Sequence, residues 1–162
     1  MGKFVFQQSV LNHTNKSVSF LVLDEKQLKE ERLIPQKWDV AQMSPFGRSR
    51  WLTPYLSNYK GWTLYVDDTD MILREDIFKL WQLRDDRYSV IVVKHDDIEK
   101  EHTNYDRKIF PYKKFNWSSL MLFNNERCKQ LTLEYVYNVF YLDLHQFKWL
   151  KSDQEIGSIS FD

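Results

Sequence analysis

Three aspartates, Asp67, Asp68 and Asp70, follow directly after an apolar run that starts at Trp62 and ends at Val66. The run is rich in β-branched and aromatic residues and carries no charge, which predicts a strand covered on both faces. If the extended conformation continues, Asp68 and Asp70 lie on the same side of the chain, because side chains alternate along a strand. Two carboxylates that close repel each other unless a cation neutralises them. The spacing therefore predicts that the two carboxylates share one hard cation or face a basic partner.

The elements that must position these aspartates can be predicted from hydrophobic periodicity. Strand patterns occur at residues 18–23, 62–66, 88–93 and 120–123, and helical spacing occurs at residues 4–11, 75–83 and 131–147. Residues 94–114 are polar and without periodicity, which predicts a long loop that is either functional or mobile.

Strands that alternate with helices indicate an α/β sandwich with a mixed, largely parallel sheet. In such sheets, ligands bind beyond the carboxyl ends of the strands. Polar residues follow three of the predicted strands, at Asp67, Lys94 and Asn124. We therefore expect these residues to line one crevice.

Length and composition limit the kind of protein. A chain of 162 residues predicts one domain, residues 1–162, and 23 basic against 23 acidic residues leave no net charge to attract nucleic acid. The only cysteine is Cys128, so a disulfide framework within the chain is excluded. The sequence has no transmembrane run and no signal-peptide core, from which we expect a cytoplasmic protein.

Several segments together resemble those of nucleotide-sugar glycosyltransferases of the GT-A fold. They are residues 59–62, the acidic residues 68–70, Asp76 with Ile77, residues 93–96 and residues 116–124. The resemblance is to the glycogenin-like family-eight enzymes and their bacterial and viral relatives. It covers nearly the whole chain in order, and it implies a GT-A-like single domain.

The resemblance implies a role for each candidate residue. Asp68 and Asp70 would bind the Mn²⁺ or Mg²⁺ that holds the donor diphosphate, while Arg50 and Asp67 would lie at the nucleotide or phosphate, with Asp67 as an alternative metal ligand. Asp153 and Gln154, within a segment similar to the family's Asp-Gln-Asp, would face the reacting sugar as catalytic residues. Contacts to the sugar or acceptor would come from Lys94, His95, Trp117, Ser118 and Ser119.

The chemistry explains why metal and arginine are needed. Cleavage of a glycosyl phosphate leaves additional negative charge on the diphosphate, and a bridging divalent cation stabilises that charge. A guanidinium suits phosphate and carboxylate equally, so Arg50 is either a nucleotide contact or a structural ion-pair partner. The expected donor is a nucleotide sugar, most simply a uridine diphosphate sugar, and the acceptor is a glycan, a protein or a small molecule.

The chain also departs from the family pattern. The strand and loop that hold the nucleoside, and a histidine downstream of the Asp-Gln-Asp segment, have no counterpart here, so the domain is expected to be reduced at both ends. A partner chain or an oligomer could complete such a site. Two other functions remain open: a GT-A-like binding or assembly module without activity, and an aspartate-dependent phosphohydrolase.

Overall fold

The chain folds around a four-stranded mixed sheet in a computed structural model that describes residues 2–35, 45–67, 71–96, 102–104, 107–109 and 112–160. The strands are β1 (Trp62–Val66), β2 (Val90–Val93), β3 (His102–Asn104), β4 (Arg107–Ile109), β5 (Leu120–Asn124) and β6 (Ile156–Ile159). The helices are α1 (Gly2–His13), α2 (Glu25–Glu30), α3 (Pro45–Ser49), α4 (Thr53–Leu56), α5 (Phe78–Trp81), α6 (Leu133–Asn138) and α7 (Tyr141–His145). Four 3₁₀ turns complete the set: Arg50–Leu52, Trp117–Ser119, Asn125–Arg127 and Asp153–Glu155.

The order of strands in the main sheet is β1-β5-β2-β6. β5 runs antiparallel to both of its neighbours, whereas β2 and β6 are parallel. Strands β1, β2 and β6 therefore run in the same direction, and their carboxyl ends lie at the same end of the sheet. The expected mixed α/β sheet is confirmed, although parallel pairing is confined to one of its three strand pairs.

Side-chain alternation in the two central strands builds a core on each face of the sheet. Val90 and Val92 of β2 pack into one cluster with Met121 and Phe123 of β5, while Ile91 of β2 packs on the other face, against Leu122. Burial on both faces explains why these strands read as continuous apolar runs.

The larger core is centred on Trp51, which is fully buried. Its ring meets those of Phe147 and Phe123 edge to face, with centroids 5.2 and 6.4 Å apart. Trp149 packs on the same ring at 6.1 Å. The 3₁₀ turn that carries Trp51 also carries Arg50, so this packing fixes the position of that arginine.

Three sequence-based expectations need correction. Residues 18–23 form no strand, because no neighbouring strand pairs with them in the described part of the chain. β1 is half-buried throughout, and not covered on both faces, because it is an edge strand of the sheet. The polar stretch 94–114 contains the short antiparallel pair of β3 and β4.

Other expectations about helices and strands are confirmed in whole or in part. Helix α1 covers the predicted helical segment at residues 4–11, and β2 and β5 form where the strand patterns lie. In the 75–83 segment only Phe78–Trp81 is helical. Among the described residues, no helix has the length and apolar character needed to cross a membrane.

Candidate functional site

The acidic segment begins at the carboxyl end of β1, where Asp67 is the last described residue before Met71. The Asp67 amide donates to the carbonyl of Ser119 at 2.9 Å, which extends the ladder between β1 and β5 by one residue. Asp68 and Asp70, the predicted metal ligands, lie outside the described residues. Asp67 is therefore the described residue that directly precedes the predicted metal ligands in the chain.

Arg50 holds the Asp67 carboxylate in an ion pair. Arg50 Nη2 donates to Asp67 Oδ2 at 3.2 Å, and only 10% of the arginine side chain and 24% of the aspartate side chain are exposed. Arg50 Nη1 donates to the carbonyl of Ser118 at 2.9 Å and lies 3.3 Å from the Ser118 hydroxyl. The guanidinium thus ties the end of β1 to the start of β5.

One donor of this guanidinium has no partner. Arg50 Nε is buried and forms no hydrogen bond to any described residue. A buried, unsatisfied donor on a charged group is costly. Because this nitrogen is buried, it offers no exposed donor to an external ligand.

A buried histidine completes the network. His145 Nε2 lies 3.2 Å from the carbonyl of Gly47, and Nδ1 lies 3.0 Å from the Ser118 hydroxyl. Because a carbonyl only accepts, Nε2 carries the proton, and Nδ1 accepts from Ser118. Burial, and next the charge of Arg50, lower the pKa of His145 to about 3, so the ring is neutral and acts as a positioning group.

Tyr141 covers one side of this network. Its ring lies on that of His145, with centroids 4.4 Å apart, and burial raises the pKa of Tyr141 to about 12. A Cβ on Gly47 would come within 2.6 Å of the tyrosine ring. The close approach of α3 and α7 therefore depends on glycine at this position.

Lys94 and Trp117 lie at the same end of the sheet as Asp67. Trp117 Nε1 donates to the carbonyl of His95 at 2.8 Å, and Lys94 Nζ lies 5.5 Å from the centre of the indole ring. Lys94 Nζ also donates to the carbonyl of Ile156 at 2.9 Å. The structure thus brings Lys94, His95 and Trp117 together, next to Ser118 in the chain.

Asp153 and Gln154 lie elsewhere. They belong to the turn that precedes β6, whose first residue pairs with Val90 at the start of β2. This is the end of the sheet opposite to Asp67. Asp153 Oδ1 contacts Lys114 Nζ at 2.5 Å, and Gln154 is exposed. The structure therefore shows no contact between this pair and Arg50 or Asp67 among the described residues.

Asn124 also lies away from the predicted crevice. Because β5 runs antiparallel to β1, Asn124 pairs with Trp62 at the far edge of the sheet. Ser118 and Ser119, directly before β5, lie at the end of the sheet beside Asp67 instead. The direction of a strand cannot be predicted from its hydrophobic pattern, which explains the error.

His145 is the residue of this network whose contribution the sequence did not reveal. Its contact with Ser118 links residues 27 positions apart in the chain. His145 and Gln146 both lie between the apolar Leu144 and Phe147, and only His145 is buried. The local pattern therefore carries no signal that distinguishes His145. In the described part of the chain, no group of three or more histidine, cysteine, aspartate or glutamate side chains could hold a metal ion.

Comparison with known proteins gives one named relative. The chain is 35% identical to Protein CDI of Arabidopsis thaliana over an alignment that covers 97% of this chain and 61% of that protein. The chain thus spans about three-fifths of the length of Protein CDI. No family model matches the sequence, and no solved structure matches it.

These comparisons overturn the assignment of the chain to the glycogenin-like glycosyltransferases. A member of that family would match its family model, and this chain matches none; the relative found is Protein CDI, whose name states no activity. The identification from short motifs was wrong because residues 68–70 and 116–124 are short segments of common residue types.

Proposed function

We propose that this protein transfers a sugar from a nucleotide-sugar donor, with Mn²⁺ or Mg²⁺ bound at the segment that follows β1. The proposal rests on the local chemistry and not on family membership. The observation that carries it is the nearly buried pair of Arg50 and Asp67 at the carboxyl end of β1. Asp68 and Asp70 follow this anchored residue in the chain.

The anchored pair supports a site for a metal and a diphosphate. Arg50 bonds to Ser118, and Ser118 in turn bonds to His145, so the end of β1 is tied to the segment before β5. The next two carboxylates in the chain would start from this anchored point. Divalent magnesium and manganese commonly complete their ligand shells with substrate phosphate oxygens.

The direction of the strands supports a ligand site at this end of the sheet. In open α/β sheets, ligands bind beyond the carboxyl ends of strands that run in one direction. Here Asp67 follows β1 and Lys94 follows β2, with Ser118 and Trp117 between them. The side chains expected at the sugar or acceptor would then lie across a short stretch of one edge.

A second candidate function is a nucleotide or sugar-phosphate binding module without catalysis. The placement of Asp153 and Gln154 at the opposite end of the sheet favours it. In this case the metal and diphosphate would bind as above, and no described side chain at that edge would act on the reacting carbon.

The test is donor turnover with Mn²⁺ across uridine and guanosine diphosphate sugars, with Asp68→Asn and Asp70→Asn as variants. We expect release of nucleoside diphosphate and about a 100-fold loss in each variant, the size typical of an electrostatic stabiliser. Asp86→Asn is the matched control, because Asp86 is an exposed aspartate outside the site.

The outcomes separate the candidates. Nucleotide binding that depends on Mn²⁺ without turnover would select the binding module. Absence of both binding and turnover would refute the two candidates together. Hydrolysis of a simple phosphomonoester that is lost in Asp68→Asn would identify a phosphohydrolase instead.

A further inference from the structure

The outer edge of β1 has no strand beside it. β1 stands at the end of the sheet order, and β5 is its only strand neighbour in the described part of the chain. The register identifies which backbone groups face outward. Gly61 and Asp67 pair with β5, since the Gly61 carbonyl accepts from Asn125 and the Asp67 amide donates to Ser119.

Hydrogen-bonded pairs alternate along an antiparallel ladder. Thr63 and Tyr65, two and four residues after Gly61, therefore direct their amides and carbonyls toward β5. The amides and carbonyls of the intervening residues point to the outer edge, and no described residue bonds to them. These residues are Trp62, Leu64 and Val66.

A cleft of about 1010 Å³ runs along this edge. One wall of the cleft, largely apolar, comes from α1, β1 and the region around α5. The second wall is formed by residues 17–26. The apolar side chains that contribute are Phe6, Trp62, Leu64, Val66, Phe78 and Trp81. A row of backbone donors and acceptors is thus set within an apolar groove.

The second wall exposes apolar side chains of its own. Leu21 is 71% exposed, Phe20 is 38% exposed and Val22 is 36% exposed. These side chains line the cleft. Contiguous exposed apolar surface of this kind marks an interaction site.

We propose that an extended polypeptide strand occupies this cleft and pairs with the outer edge of β1. This strand corresponds to the part of Protein CDI that lies outside the region matched by this chain. An unpaired edge with an apolar groove is the surface used in β-strand addition. A five-residue strand such as β1 offers about 17 Å of edge for pairing.

The length of the relative supports this occupant. About two-fifths of Protein CDI lies outside the region that matches this chain, so a relative holds polypeptide that the fold described here does not account for. A strand from that polypeptide would satisfy the outward groups of Trp62, Leu64 and Val66. Its alternate side chains would meet Leu21 and Phe20.

The probe is a set of overlapping peptides, each of about ten residues, that cover the unmatched part of Protein CDI. Binding is measured by fluorescence anisotropy, and amide exchange of β1 is followed residue by residue by NMR. We expect one peptide with alternating apolar residues to bind. It should slow exchange at Trp62, Leu64 and Val66 and leave Thr63 and Tyr65 unchanged.

Matched reagents test the pairing and the groove separately. N-methylation of the peptide amides that face β1 should abolish binding, because it removes the donors and keeps the side chains. Leu21→Glu should weaken binding about tenfold or more through loss of apolar contact. Leu11→Glu is its control, because Leu11 is 52% exposed and lies outside the cleft.

Three results would each overturn the proposal. Either no peptide slows exchange at the outer amides, or the N-methylated peptide binds as well as its parent. The third is protection of the outer amides that rises with protein concentration alone, which would assign the edge to a second copy. None of these results bears on nucleotide-sugar turnover, so the two proposals fail independently.

Discussion

At the scale of single residues, one chain of contacts runs from His145 through Ser118 and Arg50 to Asp67. Each contact has one chemically possible direction: the histidine accepts from the serine, and the arginine donates to the aspartate. The network therefore places a charge pair directly before the residues proposed to bind a metal.

Arg50→Lys should lower the free energy of unfolding by about 1–3 kcal/mol. A lysine ammonium cannot reproduce the planar fork that reaches both Asp67 and the Ser118 carbonyl. Urea denaturation measures the change. Arg74→Lys is the control, since Arg74 is exposed and should change stability by less than about 0.5 kcal/mol. Equal effects in both variants would show that the fork does not matter.

His145 should make stability depend on pH. Its pKa in the folded state, about 3, is below the ordinary value of 6.5. The unfolded chain therefore binds the proton first as pH falls, and the contribution to stability, complete above about pH 6.5, is lost progressively toward pH 3. His145→Gln, which keeps a donor and an acceptor, should flatten this part of the stability curve.

The control for this pH prediction is His13→Gln, because His13 is exposed on α1. The comparison is made by chemical denaturation at several pH values between about 4 and 7, the range that the histidine shift covers. The same slope in wild type and His145→Gln would contradict a buried, neutral His145.

At the scale of elements, sequence patterns found the strands but not their partners. The runs at β2 and β5 were predictable because both faces are buried and the residues are β-branched or large apolar ones. Residues 18–23 have the same character and form no strand, because pairing depends on a neighbour that the pattern cannot specify. The reversed direction of β5 was equally invisible, and it moved Asn124 away from the site.

Helix α6 offers a test of local specification. Thr132 caps it, with the Thr132 side chain accepting from the Tyr135 amide at 3.1 Å, and the helix buries Val136 in the larger core. Thr132→Ala should lower the free energy of unfolding by about 1 kcal/mol. Thr132→Ser keeps the capping oxygen and should restore most of it. Thermal and urea unfolding that fail to separate alanine from serine would contradict the capping role.

At the scale of the whole molecule, the larger core joins the helical side of the chain to the sheet. It combines Trp51, the two central strands and residues 131–149, and it also fixes Arg50. The composition and length indicated one core-forming domain, but the aromatic contacts of Trp51 join segments nearly 100 residues apart. Such contacts have no local sequence signal.

Leu131→Ala should destabilise the protein by about 2–5 kcal/mol, because Leu131 is fully buried in this core. Leu11→Ala is the matched control on an exposed leucine, with an expected change within about 0.5 kcal/mol. Urea denaturation followed by tryptophan fluorescence measures both. A small effect at Leu131 would show that the core is less closely packed than described.

The proposed function requires that the carboxylates beyond β1 bind a divalent cation against a diphosphate. A crystal soaked with uridine diphosphate and Mn²⁺ is the decisive experiment, because manganese is located by its anomalous signal. We expect the ion between Asp68, Asp70 and the diphosphate oxygens, beside the pair of Arg50 and Asp67. Manganese bound elsewhere, or a crystal that takes up neither ligand at this edge, would contradict the claim.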